Sequence, residues 1–116
     1  MNIYHIWADI KPDVKDMEFV DSVNKFLTDL KTKGMVTSYR ITRRKFGFGI
    51  PELPEFHLTI EFDSLEQFDR AFKLVAPRTE PMESLHHAVT SKVAKIKTAL
   101  YRDFPDEVRK RGEEKF

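Results

Sequence analysis

Cysteine is absent from the 116 residues, which excludes disulfides, thiol catalysis and zinc–thiolate sites. An excess of charge of one sign is also missing, because 20 Lys and Arg residues stand against 19 Asp and Glu residues and leave a net charge of +1. Such a chain has no overall positive field for nucleic acid or an acidic membrane. It has no run of ~18 apolar residues that could span a membrane, and its N-terminus lacks the features of a signal peptide. We therefore expect a soluble, cytoplasmic protein that binds neither nucleic acid nor membrane.

The residues that are present suit a folded globule. The sequence is 41% hydrophobic and 34% charged, which is richer in apolar residues than a disordered chain. A chain of this length fits one domain, which we place over residues 1–116.

Hydrophobic periodicity and breaker residues predict the order of helices and strands. We expect strands over residues 3–10, 36–45, 55–63 and 95–103, a helix capped by Asp13 and ended by Gly34, a helix from Ser64 to Pro77, a helical stretch after Pro81, and a short polar helix over 105–112. This order is the split β-α-β-β-α-β plan of a ferredoxin-like α+β fold. It predicts a four-stranded antiparallel sheet with its helices on one face.

The third strand separates the two faces of this sheet most clearly. Its apolar residues alternate with polar ones, so the side formed by Phe56, Leu58, Ile60 and Phe62 should lie under the helices. The other face should carry Ile3, His5, Trp7, Arg40, Thr42, His57, Thr59, Glu61, Lys97 and Tyr101. That mixture is typical of neither a core nor a solvated surface. A second copy of the sheet packed over the first would enclose these side chains in a half-buried cavity.

Three stretches of the sequence resemble a known family. They are Tyr4-His5-Ile6-Trp7, the segment from Thr42 through Phe46-Gly47-Phe48-Gly49 to Phe56-His57, and the segment from Glu83 through His86-His87 to Tyr101-Arg102-Asp103-Phe104-Pro105. The chain resembles an uncharacterised bacterial domain-of-unknown-function family within the dimeric α/β-barrel superfamily. The resemblance implies a homodimer of ferredoxin-like subunits with their sheets face to face. The superfamily includes cofactor-free monooxygenases, haem enzymes, lactone isomerases and polyketide cyclases, and the fold does not choose among them.

His5 and Glu61 are the first candidates for catalysis, because we expect them to lie opposite each other on neighbouring antiparallel strands. A carboxylate beside an imidazole fixes its tautomer and raises its basicity, as a general base requires. A purely structural cross-strand pair is the alternative. A metal site of His5, His57 and Glu61 is disfavoured, since His57 and Glu61 are ~13 Å apart along one strand. We expect neither a metal nor a cofactor.

The loop after the second strand is the candidate lid. Phe46 and Phe48 alternate with glycines, and they could close over an apolar ligand, pack on a partner subunit or pack on their own domain. This loop matches the RNA-recognition signature poorly, since its aromatic residues precede the third strand. His86 lies on the apolar side of its helix and is interpreted as a core or interface histidine. Phe104 or Phe116 could contact a partner.

The sequence leads to a homodimer that binds a small, largely apolar or amphipathic molecule with a carboxylate or carbonyl group. Apolar contacts are expected from Ile3, Trp7, Phe46 and Phe48, and polar contacts from Arg40, Thr42, His57, Thr59 and Tyr101. In an enzyme of the cyclase, isomerase or monooxygenase type, His5 would be the base, Glu61 its orienting partner, and Tyr101 or Arg40 the oxyanion partner. A non-catalytic ligand-binding or stress-responsive module and a purely structural dimer remain open.

Overall fold

The computed structural model describes residues 1–113, so Phe116 and the contact predicted for it lie outside the described residues. Seven elements follow one another in the chain. They are β1 (Asn2–Ile10), α1 (Asp16–Thr32), β2 (Ser38–Arg43), β3 (Phe56–Phe62), α2 (Leu65–Val75), α3 (Met82–Thr90) and β4 (Val93–Arg102). The second strand is shorter than predicted at both ends.

The four strands form one antiparallel sheet in the order β2-β3-β1-β4. This is the strand order that a split β-α-β-β-α-β chain gives, and the predicted α+β ferredoxin-like fold is confirmed. The third helix, α3, packs with α1 and α2 on the same side of the sheet. Strands β2 and β4 are the two edges.

The core lies between the sheet and the helices. Phe56, Leu58, Ile60 and Phe62 of β3 are all buried, as the alternation predicts. They meet the apolar stripe of α1, which includes the completely buried Phe19, whose ring contacts Phe56 edge-on at 5.2 Å between centroids. The partly buried side chains that join this core include Tyr4, Ile6, Tyr39 and Ile41.

The start of α1 differs from the prediction, while its end agrees with it. The residue at the N-cap is Lys15, which makes no side-chain cap, and the helix begins at Asp16. Asp13 lies instead in a turn closed by the bond from Val14 N–H to Lys11 O (3.0 Å). The helix ends before Gly34, whose positive φ of 74° is the left-handed conformation that favours glycine after a helix.

The start of α2 is held by Ser64 and Gln67. The hydroxyl of Ser64 accepts a bond from Gln67 N–H (3.1 Å), and the buried side chain of Gln67 makes three further bonds. Its Oε1 accepts from Asp63 N–H (2.7 Å) and Thr37 Oγ1 (3.1 Å), and its Nε2 donates to Gly34 O (3.0 Å). Gln67 therefore joins the start of α2 to the connection between α1 and β2.

The polar helix predicted over 105–112 is wrong. This segment contains turns only, including one closed by Arg109 N–H and Asp106 O (3.1 Å). It has no apolar stripe to bury against the sheet, and a helix this short is marginal without such packing.

The described part of the chain is extended for its size. Its radius of gyration is 16.0 Å and its longest dimension is 54 Å, whereas a compact domain of this length would have a radius of gyration of about 13 Å. Among residues 1–113, no helix is both long enough and apolar enough to cross a membrane.

Candidate functional site

The face of the sheet away from the helices carries the predicted site residues in ordered rows. The strand register places Arg40, Thr59, His5 and Ala99 side by side across the sheet. The next row contains Thr42, His57, Trp7 and Lys97, and the row on the other side contains Ser38, Glu61, Ile3 and Tyr101. We call this surface the open face.

The centre of the open face is a stack of three aromatic rings. The planes of Trp7 and His57 are within 7° of parallel, with centroids 4.7 Å apart, and His5 stacks on both at 5.5 and 5.2 Å. Tyr101 meets His5 edge-on at 4.9 Å. These contacts restrict the orientation of both imidazoles in the absence of any ligand.

A hydrogen bond joins the two imidazoles directly. His5 Nδ1 and His57 Nε2 are 2.9 Å apart, so one nitrogen carries the shared proton and the other accepts it. Partial burial lowers the pKa of His5, and burial together with the neighbouring His5 lowers the pKa of His57. The neutral pair is therefore favoured, with one free ring nitrogen on each histidine pointing away from the shared bond.

The expectation that His5 lies opposite Glu61 is wrong. The register pairs His5 with Thr59 and pairs Glu61 with Ile3, one row away. The carboxylate of Glu61 accepts a bond from Ser38 Oγ (2.9 Å). The group that meets His5 is His57, which the sequence analysis assigned to ligand contact. Alternation predicts the face on which a residue lies, but it leaves the register of two strands open by steps of two residues.

The loop between β2 and β3 forms the wall of a cavity beside this stack. The cavity has a volume of about 260 Å³, and its lining includes Trp7, His57, Phe48 and Ile50. Phe48 lines this cavity and Phe46 does not, while both side chains are 83% exposed.

Arg44 holds this loop in place. Its Nη2 donates to Leu53 O (3.2 Å), and its backbone N–H donates to Glu55 O (3.0 Å). Gly49 lies so close that a Cβ there would be 2.5 Å from Arg44 Cδ. A larger residue at position 49 would therefore displace the flexible side chain of Arg44 and weaken its bond to Leu53 O.

The other predicted ligand contacts lie on the open face with different exposure. Arg40 and Thr42 are exposed on the edge strand β2, while Ile3 and Thr59 are half-buried in the two central strands. Within residues 1–113, no group of three or more His, Asp or Glu side chains is placed to hold a metal ion. The open face offers imidazoles, an indole, a guanidinium and a phenol, together with the carboxylate of Glu61 and the ammonium of Lys97.

Comparison with known families decides where the chain belongs. A family model described as a family of unknown function (DUF6614) matches residues 1–116. The chain belongs to this family. The predicted membership in an uncharacterised family is confirmed, and the DUF6614 assignment covers the open face, the lid loop and the helices together.

Solved structures are similar to this DUF6614 chain in fold. The Arabidopsis thaliana protein At3g17210 has a TM-score of 0.71 at 8% identity, covering 89% of this chain and 95% of that one. A dimeric ferredoxin-like protein of unknown function from Jannaschia sp. CCS1 has a TM-score of 0.66 at 10% identity, covering 89% and 100%. A putative antibiotic biosynthesis monooxygenase from Nitrosomonas europaea has a TM-score of 0.64 at 14% identity, covering 90% and 99%. A comparison with curated proteins found no match. These structural similarities support the fold and assign no activity to DUF6614.

Proposed function

We propose that two copies of this DUF6614 chain pack their open faces together and bind a small, largely apolar molecule with a carbonyl or carboxylate group between them. The observation that carries the proposal is the stack of Trp7, His57 and His5 on a sheet face that no helix or strand of residues 1–113 covers. Two polar rings and an indole that hold one another in place are a prepared surface for a ligand.

The exposed apolar residues favour a second copy as the cover. Tyr101 on the open face is 61% exposed, and Phe48 and Ile50 on the lid loop are 83% and 58% exposed. Exposed apolar side chains of this kind mark interaction sites, and a two-fold axis lying between two facing sheets would let one such surface cover its copy. The dimeric ferredoxin-like protein from Jannaschia sp. CCS1, which has a similar fold, is consistent with this assembly.

The histidine pair supports acid–base chemistry at the bound carbonyl. If His5 donates the shared proton, the free nitrogen of His5 is an acceptor and the free nitrogen of His57 is a donor; the other tautomer reverses the roles. The pair thus offers a base at one end and an acid at the other. A base at this position could remove a proton from carbon next to a carbonyl, as cyclisation, isomerisation or cofactor-free oxygenation requires. In this proposal His57 takes the orienting role that was predicted for Glu61.

Arg40 and Tyr101 are the groups we assign to the oxygen of the ligand. The guanidinium of Arg40 lies in the same row as His5, and the ring of Tyr101 contacts His5 directly. An arginine fork suits a carboxylate or an enolate oxygen, and a phenol can donate to either. The similarity in fold to the putative antibiotic biosynthesis monooxygenase is consistent with oxygenation as one of the reactions named above.

Trp7 makes the ligand test simple, since it is the only tryptophan in the sequence. Native mass spectrometry should show twice the 13.7 kDa chain mass and retain any molecule that co-purifies. That molecule, added back to ligand-free protein, should change the fluorescence of Trp7. A monomer, or a bound molecule that leaves Trp7 fluorescence unchanged, would contradict the proposed site.

A matched pair of substitutions tests which face forms the dimer. Thr59 lies at the centre of the open face, and Thr98 lies on β4 opposite Ile6, on the other face. We expect Thr59→Arg to give a monomer in light scattering with native circular dichroism, and Thr98→Arg to remain a dimer. The reverse result would place the interface on the helix side.

A non-catalytic binding module is the second candidate, because it needs the same cavity without proton transfer. Turnover of the co-purified molecule that is lost in both His5→Gln and His57→Gln, while binding persists, would establish the enzyme. Retention with no turnover would leave the binding module. A dimer that retains no molecule would leave the structural role alone.

A further inference from the structure

A second cavity lies on the other side of the sheet, among the helices. It has a volume of about 300 Å³ and is bounded by α1, α3 and the strands β1, β3 and β4. Its walls are apolar, with Phe26 and Leu27 from α1, Val89 from α3 and Ile96 from β4 among them. This volume is at the lower end of the ~300–1,000 Å³ of small-molecule sites, which suits one alkyl chain or a single ring system.

The cavity results from how the helices cover the sheet. Helices α1 and α3 bury the central strands, yet Ile96 at the edge strand β4 keeps 59% of its surface exposed although it faces the helix side opposite Ala8. An apolar wall that the protein leaves partly open costs free energy unless another apolar group covers it.

His86 is the ionisable side chain that belongs to this cavity. It lines the wall from α3, and its ring lies 5.4 Å from the ring of Phe26. Lys95 also borders the cavity, but it lies opposite Asp9 in the strand register, which places its side chain on the open face. Burial lowers the pKa of His86, although the charge of Glu83 opposes this. The imidazole is thus neutral at pH 7 to 8 and offers one donor and one acceptor.

Glu83 determines which polar group suits His86. The two residues are three apart on α3 and share a helix face. Oε2 of Glu83 is buried and has no hydrogen-bond partner within residues 1–113. Glu83 is the largest charge that acts on His86, ahead of Arg78 and His87, which act in the opposite direction. A ligand carboxylate beside His86 would therefore be repelled by Glu83, whereas a hydroxyl would not.

We propose that the cavity between α1, α3 and β4 binds a neutral apolar molecule that carries a hydroxyl group, with its apolar body against Phe26 and Val89 and its hydroxyl on His86. The site goes beyond the proposed function. It differs from the open-face site in position and in preference, because Arg40 favours a carboxylate there while Glu83 disfavours one here. The two sites are on opposite faces of one sheet.

Two probes that differ in their head group alone test this preference. We expect 1-octanol to bind at pH 8 in ligand-detected NMR and calorimetry, and octanoate to bind at least tenfold more weakly. Because Trp7 is on the other face, 1-octanol should leave its fluorescence unchanged. Octanoate binding as tightly as 1-octanol, or a change in Trp7 fluorescence with 1-octanol, would overturn the proposal and leave the open-face site untouched.

Substitutions locate the bound probe. Ala94 is exposed and lines the cavity, so Ala94→Phe should close its mouth and abolish 1-octanol binding. Ala76→Phe is the matched control, since Ala76 is exposed at the end of α2 and should leave binding unchanged. Binding that persists in Ala94→Phe would exclude this cavity.

The role of His86 has a separate readout. His86→Leu should weaken 1-octanol binding roughly 3- to 10-fold, as loss of one hydrogen bond does, and leave binding of toluene unchanged. Equal loss for 1-octanol and toluene would mean that His86 only shapes the cavity, and the assigned hydroxyl contact would be wrong.

Discussion

Adjacent residues of β3 lie on opposite faces of the sheet, and the two faces differ in burial and in the type of contact they make. On the covered face, each apolar side chain from Phe56 to Phe62 is at most 6% exposed. On the open face, His57, Thr59 and Glu61 are half-buried; His57 makes a hydrogen bond and ring stacking, and Glu61 accepts a hydrogen bond from Ser38. Hydrophobic burial has no direction, whereas a hydrogen bond depends on which atoms meet. One face therefore stabilises the fold, and the other is free to carry chemistry.

The largest test of this contrast compares one substitution on each face. Phe56→Ala removes a ring that packs on Phe19 and should lower the free energy of unfolding by about 3–5 kcal/mol. Thr59→Ala should change it by about 0.5 kcal/mol or less. Urea denaturation of both variants measures the difference. If both substitutions lowered the free energy of unfolding equally, the open face would be packed like a core in the folded monomer.

Gln67 is a buried polar side chain on the helix side of the sheet, and its substitution tests how much hydrogen bonds stabilise that side. Gln67→Leu loses its bonds to Thr37, Asp63 and Gly34 and should cost about 1–3 kcal/mol. The matched control is Glu66→Leu on the exposed side of the same helical turn, which should cost less than Gln67→Leu. If the two variants are equally stable, the three bonds of Gln67 contribute nothing net.

The covered face could be predicted from the sequence for a physical reason. Buried apolar residues recur at every second position on β3 and at every third or fourth position on α1, so the spacing of apolar residues predicts which side chains are buried. The two-residue alternation also assigned His5, Trp7 and His57 to the open face. The same reasoning failed at Asp13, because a turn closed by Lys11 and Val14 competes with the cap, and over 105–112, where nothing apolar holds a helix.

The histidine pair could not be predicted in the same way. Both Glu61 and His57 are on the open face of β3, one row to either side of Thr59, the register partner of His5, so the register alone does not decide which of them meets His5. The carboxylate of Glu61 accepts a hydrogen bond from Ser38, which lies on β2. The helix-side cavity was missed because the spacing of His86 predicts that it lies on the apolar face of its helix, but does not predict whether other side chains fill the space beside that face.

A double-mutant cycle measures the hydrogen bond that the register creates. His5→Phe and His57→Phe keep the stacked rings and remove the bond between Nδ1 and Nε2, and we expect a coupling of about 0.5–1.5 kcal/mol in the free energy of unfolding. Trp7→Phe combined with Tyr101→Phe provides the control, since these rings share no hydrogen bond. No coupling between the histidines would mean that stacking alone holds them.

The smallest expected effect is the pH dependence, and its sign follows from the direction of the pKa shifts. Burial lowers the pKa of His5 and His57 below the ~6.5 of an unfolded histidine. Below pH 6.5 the unfolded chain therefore binds more protons than the folded chain, so the free energy of unfolding falls as the pH decreases toward the folded pKa values. His86 adds a contribution of the same sign. The variant with Phe at both positions 5 and 57 should show a shallower fall below about pH 6.5, whereas His87→Phe, on the exposed side of α3, should retain it. A profile that keeps its full slope in the double variant would show that His5 and His57 bind protons equally in the folded and unfolded chain, which would contradict the neutral hydrogen-bonded pair.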